Sequence, residues 1–248
     1  MNIKKQIWQS TNKHNLQLDS LYYYSRIMRI LEAEIFIVNA LVNRDGTAVD
    51  IGANYGVWSY HLSKIFRRVE AFEPIKECCD VIRSTRRKNI NVHNEALSSS
   101  PGKLELHIPV EKSELLLQSA RLGDVGGQFE SRVVSVKTLD TYSVGKVLFI
   151  KIDVEGHEIE VLKGAERTIR QFKPVMIIEI EQRHLDFPMD EVFKLVESYG
   201  YNAFFQSGRK LRPYAQFSYK LDQLPYLDNL SSVAYVHNFI FLPKEQNR

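Results

Sequence analysis

Thr47-Ala48-Val49-Asp50-Ile51-Gly52-Ala53-Asn54-Tyr55-Gly56 reads as a short strand running into a glycine-punctuated turn. The apolar spacing after it reads as a helix through about Ile65. Strand, tight turn and helix open a βαβ unit. In such folds the point where the first strand becomes the first helix lets ligand atoms approach the backbone and aims helix N–H groups into a crevice. The spacing departs from the dinucleotide pattern, because the third glycine is replaced and an acid stands two residues before Gly52. The competing reading is a turn that needs glycine only for tight packing.

Working outward, Val69 to Phe72 reads as a second strand, Lys76 to Lys88 as its helix and Ile90 to His93 as a third strand. Lys103 to Pro109 alternates as a strand does, and Glu111 to Arg132, with Gly123, Gly126 and Gly127, reads as a lid or substrate loop. Val147 to Ile152, broken only by Lys151, has the continuous apolar character of a central parallel strand. A helix seam at Ile159, Leu162, Ala165, Ile169 and Phe172 ends before Pro174. Strand Val175 to Ile180, helix Asp190 to Tyr199, strand Tyr201 to Gln206, a basic loop at Arg209-Lys210-Leu211-Arg212 and a strand from about His237 to Leu242 follow. Upstream, Leu21, Tyr24, Met28, Leu31, Ile35, Val38 and Leu41 recur at helical spacing. The expectation is an α/β, Rossmann-like, doubly wound sheet over residues 46–248, mostly parallel with an antiparallel edge strand. Residues 1–45 form an N-terminal arm and capping helix in this reading.

Composition narrows the function classes. The chain has 248 residues, 44% apolar and 25% charged, with no low-complexity run, which excludes collagen-like and wholly disordered readings. The longest apolar stretch, Ala33 to Val42, falls far short of the roughly 18 residues of a membrane span. Polar residues after Lys4 and Lys5 do not make a secretory signal, so a cytoplasmic address is expected. Cys78 and Cys79 are adjacent and cannot staple a long loop, and no zinc-type cysteine spacing occurs. A net charge of +3 is mild; Arg83, Arg86, Arg87 and Lys88 read either as a solvated helix end or as an anion-facing patch.

Three strand ends carry the candidate chemistry. Glu73, in Glu70-Ala71-Phe72-Glu73-Pro74, lies about 20 residues past the glycine turn, where an acid accepts the ribose hydroxyls of a nucleoside. In Asn94-Glu95-Ala96-Leu97, Glu95 is placed to accept from an adenine amine and the Ala96 backbone to meet the ring edge. Asp153, Glu155 and His157 follow the buried strand at its carboxyl end and alternate with Val154 and Gly156, pointing one way if the extended geometry persists. The bland reading makes Glu155 and His157 the start of the next helix. Glu179 and Glu181 alternate likewise, and Glu179 is a candidate wall of a substrate pocket.

Val49 to Gly56, Phe72-Glu73-Pro74, Asn94 to Ser98, Ile150-Lys151-Ile152-Asp153-Val154-Glu155-Gly156-His157-Glu158, Val161 to Ala165 and Asn238 to Leu242 together resemble the FkbM-type S-adenosylmethionine-dependent methyltransferases. The resemblance implies the class I methyltransferase version of the sheet. It also implies S-adenosylmethionine as cofactor, its methionine part held by Asp50, Gly52, Asn54 and Gly56 and its ribose by Glu73; Glu95 and Ala96, read above from their strand end, and Asp153 complete the expected cofactor contacts. The implied activity is O-methylation of a hydroxyl on a sugar, in a glycan, polysaccharide or natural product.

Methyl transfer from a sulfonium is an in-line displacement, so alignment dominates, but a hydroxyl must still lose its proton. His157 is the expected general base, oriented by Asp153 or Glu155, with Glu155 and Glu179 facing the acceptor. In the alternative, Asp153, Glu155 and Glu179 hold a divalent cation that lowers the hydroxyl pKa; the first form, with no metal, is favoured. A small-molecule or glycan acceptor is the expected partner, and an oligomer is compatible with the sequence. The runner-up is an RNA methyltransferase, for which Tyr22, Tyr23, Tyr24, Trp58, Tyr214, Phe217 and Tyr219 with Arg209, Lys210 and Arg212 would serve. The mild charge disfavours nucleic acid. A third reading is an inactive cofactor-binding interaction protein.

Overall fold

The computed structural model describes Val38 and residues 45–111, 114–115, 117–122, 128–208 and 210–244. The expected arm and capping helix therefore lie almost wholly outside the described residues; Val38 is helical and buried in one cluster with Ala48, Trp58 and Phe149.

In chain order the strands are β1 (Thr47–Ile51), β2 (Arg68–Phe72), β3 (Ile90–His93), β4 (Ala96–Leu97), β5 (Gly102–Glu111), β6 (Glu114–Leu115), β7 (Arg121–Leu122), β8 (Phe129–Lys137), β9 (Val147–Ile152), β10 (Val175–Glu179), β11 (Tyr201–Ser207), β12 (Lys210–Pro213) and β13 (Asn238–Pro243). The helices used below are α1 (Val57–Leu62), α2 (Lys76–Ser84), α3 (Glu158–Gly164), α4 (Glu166–Phe172) and α5 (Asp190–Ser198).

One sheet has the order β12-β11-β13-β10-β9-β1-β2-β3. β3, β2, β1, β9 and β10 pair in parallel, as expected of apolar runs linked by helices. β13 inserts antiparallel between β10 and β11, and β12 closes the edge antiparallel to β11. The basic segment after Arg209, expected as a loop, is thus the edge strand. Its residues are all exposed, and edges of this kind favour charged side chains. Ala48, Trp58, Leu62 and Phe149 pack on one face of the sheet, while Ile51, Ile150, Val161, Ile169 and Val192 pack on the other. Both faces are covered, so the fold is the doubly wound, Rossmann-like type.

Two differences from the sequence reading matter. The helix seam over 159–172 is split, because Ala165 leaves helical geometry at φ −114° and ψ 4°. The second difference is a further sheet between β3 and β9, ordered β4-β8-β5-β6 with β7 on β5. The expected loop from Glu111 to Arg132 therefore contributes β6, β7 and the start of β8 among its described residues. Leu106, Ile108, Val134 and Val136 turn inward from this sheet and pack on Ile75, Cys78 and Ala96, which seats it over α2 and the ends of β2 and β3.

Candidate active site

β1, β2 and β9 end at one crevice. Gly52 turns the chain away from β1 at φ +76°, and a Cβ there would stand 1.8 Å from the Asp153 carbonyl oxygen. Asn54 follows at φ +50°, a left-handed conformation Asn adopts more readily than most residues. Its backbone N–H donates to Glu73 Oε2 at 2.8 Å, and the Ile75 N–H donates to Glu73 Oε1 at 2.7 Å. Glu73 is thereby clamped at the end of β2, 5% exposed. Burial pushes its carboxyl up to about 7, against the pull of the two amides. Each carboxylate oxygen has a second lone pair for a further donor. The crevice is open to solvent and is lined by Gly52, Asn54, Glu73, Ala96, Asp153, Glu155 and His157.

Past β9 the extended alternation stops, since Glu155 takes φ +53° and Gly156 φ +103°. A Cβ at Gly156 would lie 2.5 Å from the His184 carbonyl oxygen, so the segments leaving β9 and β10 meet backbone to backbone. Glu155 Oε2 touches His184 Nδ1. Burial, with Asp153 nearby, pushes Glu155 up to about 8, and burial with Arg183 nearby brings His184 down to about 4. Arg183 itself is held in a fork by Glu181, Nε to Oε2 at 2.7 Å and Nη2 to Oε1 at 2.8 Å. The Tyr235 hydroxyl donates to that same carboxylate.

Asp153, Glu155 and Glu179 bring carboxylate oxygens within 4.8 Å of one another. The buried Lys151 ammonium stands 3.9 Å from both Asp153 Oδ2 and Glu179 Oε2. A fixed cation of the chain therefore offsets part of that charge.

The sequence profile of the FkbM methyltransferase domain matches residues 50–203. The chain belongs to the FkbM methyltransferase domain family. Among solved structures, this FkbM domain is similar to the FkbM methyltransferase of Methylobacillus flagellatus KT, at 16% identity and TM-score 0.51 over 82% of this chain and 45% of that one. It therefore spans less than half of that protein. An rRNA methylase from Streptococcus thermophilus matches at 12% identity and TM-score 0.50, over 86% of this chain and 95% of that one. These likenesses show the class I methyltransferase fold. No match is found among curated proteins.

Within this FkbM domain the expected site residues part company. Gly52, Asn54, Glu73, Ala96, Asp153, Glu155 and His157 line the crevice; Asp50, Gly56, Glu95 and Glu179 do not. Asp50 is 1% exposed and accepts the Ser59 hydroxyl at 2.5 Å, facing α1; burial pushes it up to about 6. Gly56 precedes α1 at φ +83°, where a Cβ would meet Ile82 Cγ1 at 2.6 Å, so its glycine serves packing on α2. Glu95 takes the Tyr142 hydroxyl and the Lys137 ammonium at 2.9 Å. Burial opposes its charge, but those two partners outweigh it and hold the carboxyl below its usual range. Glu179 stands behind Lys151. His157 is not oriented by Asp153 or Glu155: its Nε2 lies 2.9 Å from Ser98 Oγ, and burial lowers its pKa. The left-handed turn at Glu155 and Gly156 breaks the alternation that would have aligned the three. Sequence reasoning missed Lys151 as a countercharge and His184 as a partner. Their shared signal was position at or just past the carboxyl end of a buried strand.

Proposed function

We propose that the chain is an S-adenosylmethionine-dependent O-methyltransferase acting on a sugar hydroxyl in a glycan, polysaccharide or natural product. The carrying observation is Glu73, a buried carboxyl fixed by two amides beside the glycine turn and lining the crevice where β1, β2 and β9 end. In this reading Gly52 and Asn54 border the methionine part, Glu73 takes the ribose hydroxyls and Ala96 borders the adenine. When bound, the cofactor supplies an electrophilic methyl group. The chain aligns the acceptor oxygen and receives its proton at the Asp153, Glu155 and His157 end.

Calorimetric titration with S-adenosylmethionine tests the cofactor assignment. Glu73→Ala should raise the dissociation constant at least tenfold, since two charge-assisted hydrogen bonds are lost. Unchanged affinity would refute Glu73 as the ribose ligand. Labelled methyl transfer to a glycan panel and to RNA decides the acceptor class, with incorporation into RNA alone overturning the sugar reading.

A further inference from the structure

Glu155 and His184 are joined by backbone packing. Glu155 is a non-glycine residue at φ +53°, a conformation costing about 1–2 kcal/mol. It is retained because Gly156 leaves no side chain between itself and the His184 carbonyl. The consequence is direct contact of Glu155 Oε2 with His184 Nδ1, the imidazole 11% and the carboxylate 18% exposed. Glu155 lines the crevice and His184 sits behind it. His157, the other imidazole at this end, faces Ser98, and among the described residues no carboxylate hydrogen bond orients it.

We propose, resting on the methyl-transfer reading above, that Glu155 is the catalytic proton acceptor for the acceptor hydroxyl and that His184 is its positioning and relay residue. The acceptor O–H proton passes to Glu155 while the proton held between Glu155 and His184 settles on Nδ1. The electron pair left on the acceptor oxygen forms the new C–O bond, and the C–S pair stays on sulfur. The imidazolium then loses its proton to solvent. The groups facing the pair are Asp153 from the segment after β9, Glu158 at the start of α3, Glu179 from β10, Glu181 and Arg183 from the segment after β10, and Arg121 from β7. Burial, then Asp153, Glu181 and Glu158, raise Glu155, and burial, then the two arginines, disfavour a charged His184, so at neutral pH the pair carries one proton and it rests on Glu155. A carboxyl in that state is a poor base alone, and the relay removes the obstacle.

The test measures methyl transfer against pH with the full chain and whichever glycan of the panel accepts label, cofactor affinity being followed by calorimetry. The native profile should be flat from about pH 6 to 9. Glu155→Gln should lose at least about 100-fold in kcat throughout. In His184→Asn only ionised Glu155 can act, so kcat should be about tenfold down at pH 7, rise tenfold per pH unit and approach the native value above about pH 8. His157→Asn should keep the flat native pH profile, and cofactor affinity should hold in all three. A sloping profile in His157→Asn with a flat one in His184→Asn overturns the dyad. In the cofactor-free chain, ¹⁵N spectra should show a neutral His184 at pH 7 whose Nδ1 resonance moves in Glu155→Gln and not in His157→Asn; an imidazolium at pH 7 overturns it independently. A native chain that binds no cofactor refutes the parent reading, and the ¹⁵N result then judges the pair by itself.

Discussion

A Cβ at position 52 has nowhere to go: the carbonyl 1.8 Å away belongs to Asp153, and the backbone is already left-handed. Gly52→Ala should cost at least about 3 kcal/mol, combining backbone strain with overpacking that only a strand shift can relieve. Gly102→Ala, with nothing within 4 Å of its added methyl, should stay within about 0.5 kcal/mol. Urea denaturation of the two variants measures the contrast, and equal midpoints would refute it. The same scale shows why some site residues were legible and others not. Glu73 declares itself by spacing from the turn. Asp50 stands next to last in a strand covered on both faces, so no polar alternation reveals that it points to α1. The pairing of Glu155 with His184 depends on two loops distant in sequence and on a backbone conformation that residue type does not announce.

Elements whose apolar runs are continuous were readable to within a residue or so, as β1, β9 and β10 show. Periodicity could not separate α3 from α4, because the seam of Ile159, Leu162, Ile169 and Phe172 continues across the break at Ala165. What fixes the new helix start is remote. Asp140 accepts from the Arg167 N–H at 2.8 Å, the Thr168 N–H at 2.9 Å and the Thr168 hydroxyl at 2.7 Å. It does the work of an N-cap from outside the helix, with its charge at the favourable pole. Asp140→Ala should therefore destabilise the chain by about 1–2 kcal/mol, and Asp140→Asn, which keeps an acceptor, by less than half of that. Equal losses in the two variants, read from urea midpoints, would show that the cap is not what Asp140 contributes.

At the scale of the molecule, the crevice is a junction of two sheets. The central sheet supplies Gly52, Asn54, Glu73 and Asp153, and the second sheet closes the opposite side with Leu106 and Leu122, joined by Leu117 and Ala120 from the turn between β6 and β7. Its polar-and-apolar alternation was visible in Lys103 to Pro109, but its partner strand was not, since β8 begins inside a stretch that reads as a loop. Arg132, on that strand, reaches both oxygens of Glu77 at 2.9 Å and ties the second sheet to α2. A molecule seated between the sheets must order both walls, and elements remote from it have no reason to respond. Saturating S-adenosylhomocysteine should thus slow amide exchange several-fold in three central-sheet segments, 52–56, 73–75 and 96–98, and in 117–122 of the second sheet. β11 and β13 should exchange as before. Hydrogen exchange read by mass spectrometry separates the cases: protection in the central-sheet segments without 117–122 would mean the second sheet is not a wall of the cofactor site, and protection confined to β11 and β13 would place the ligand elsewhere altogether.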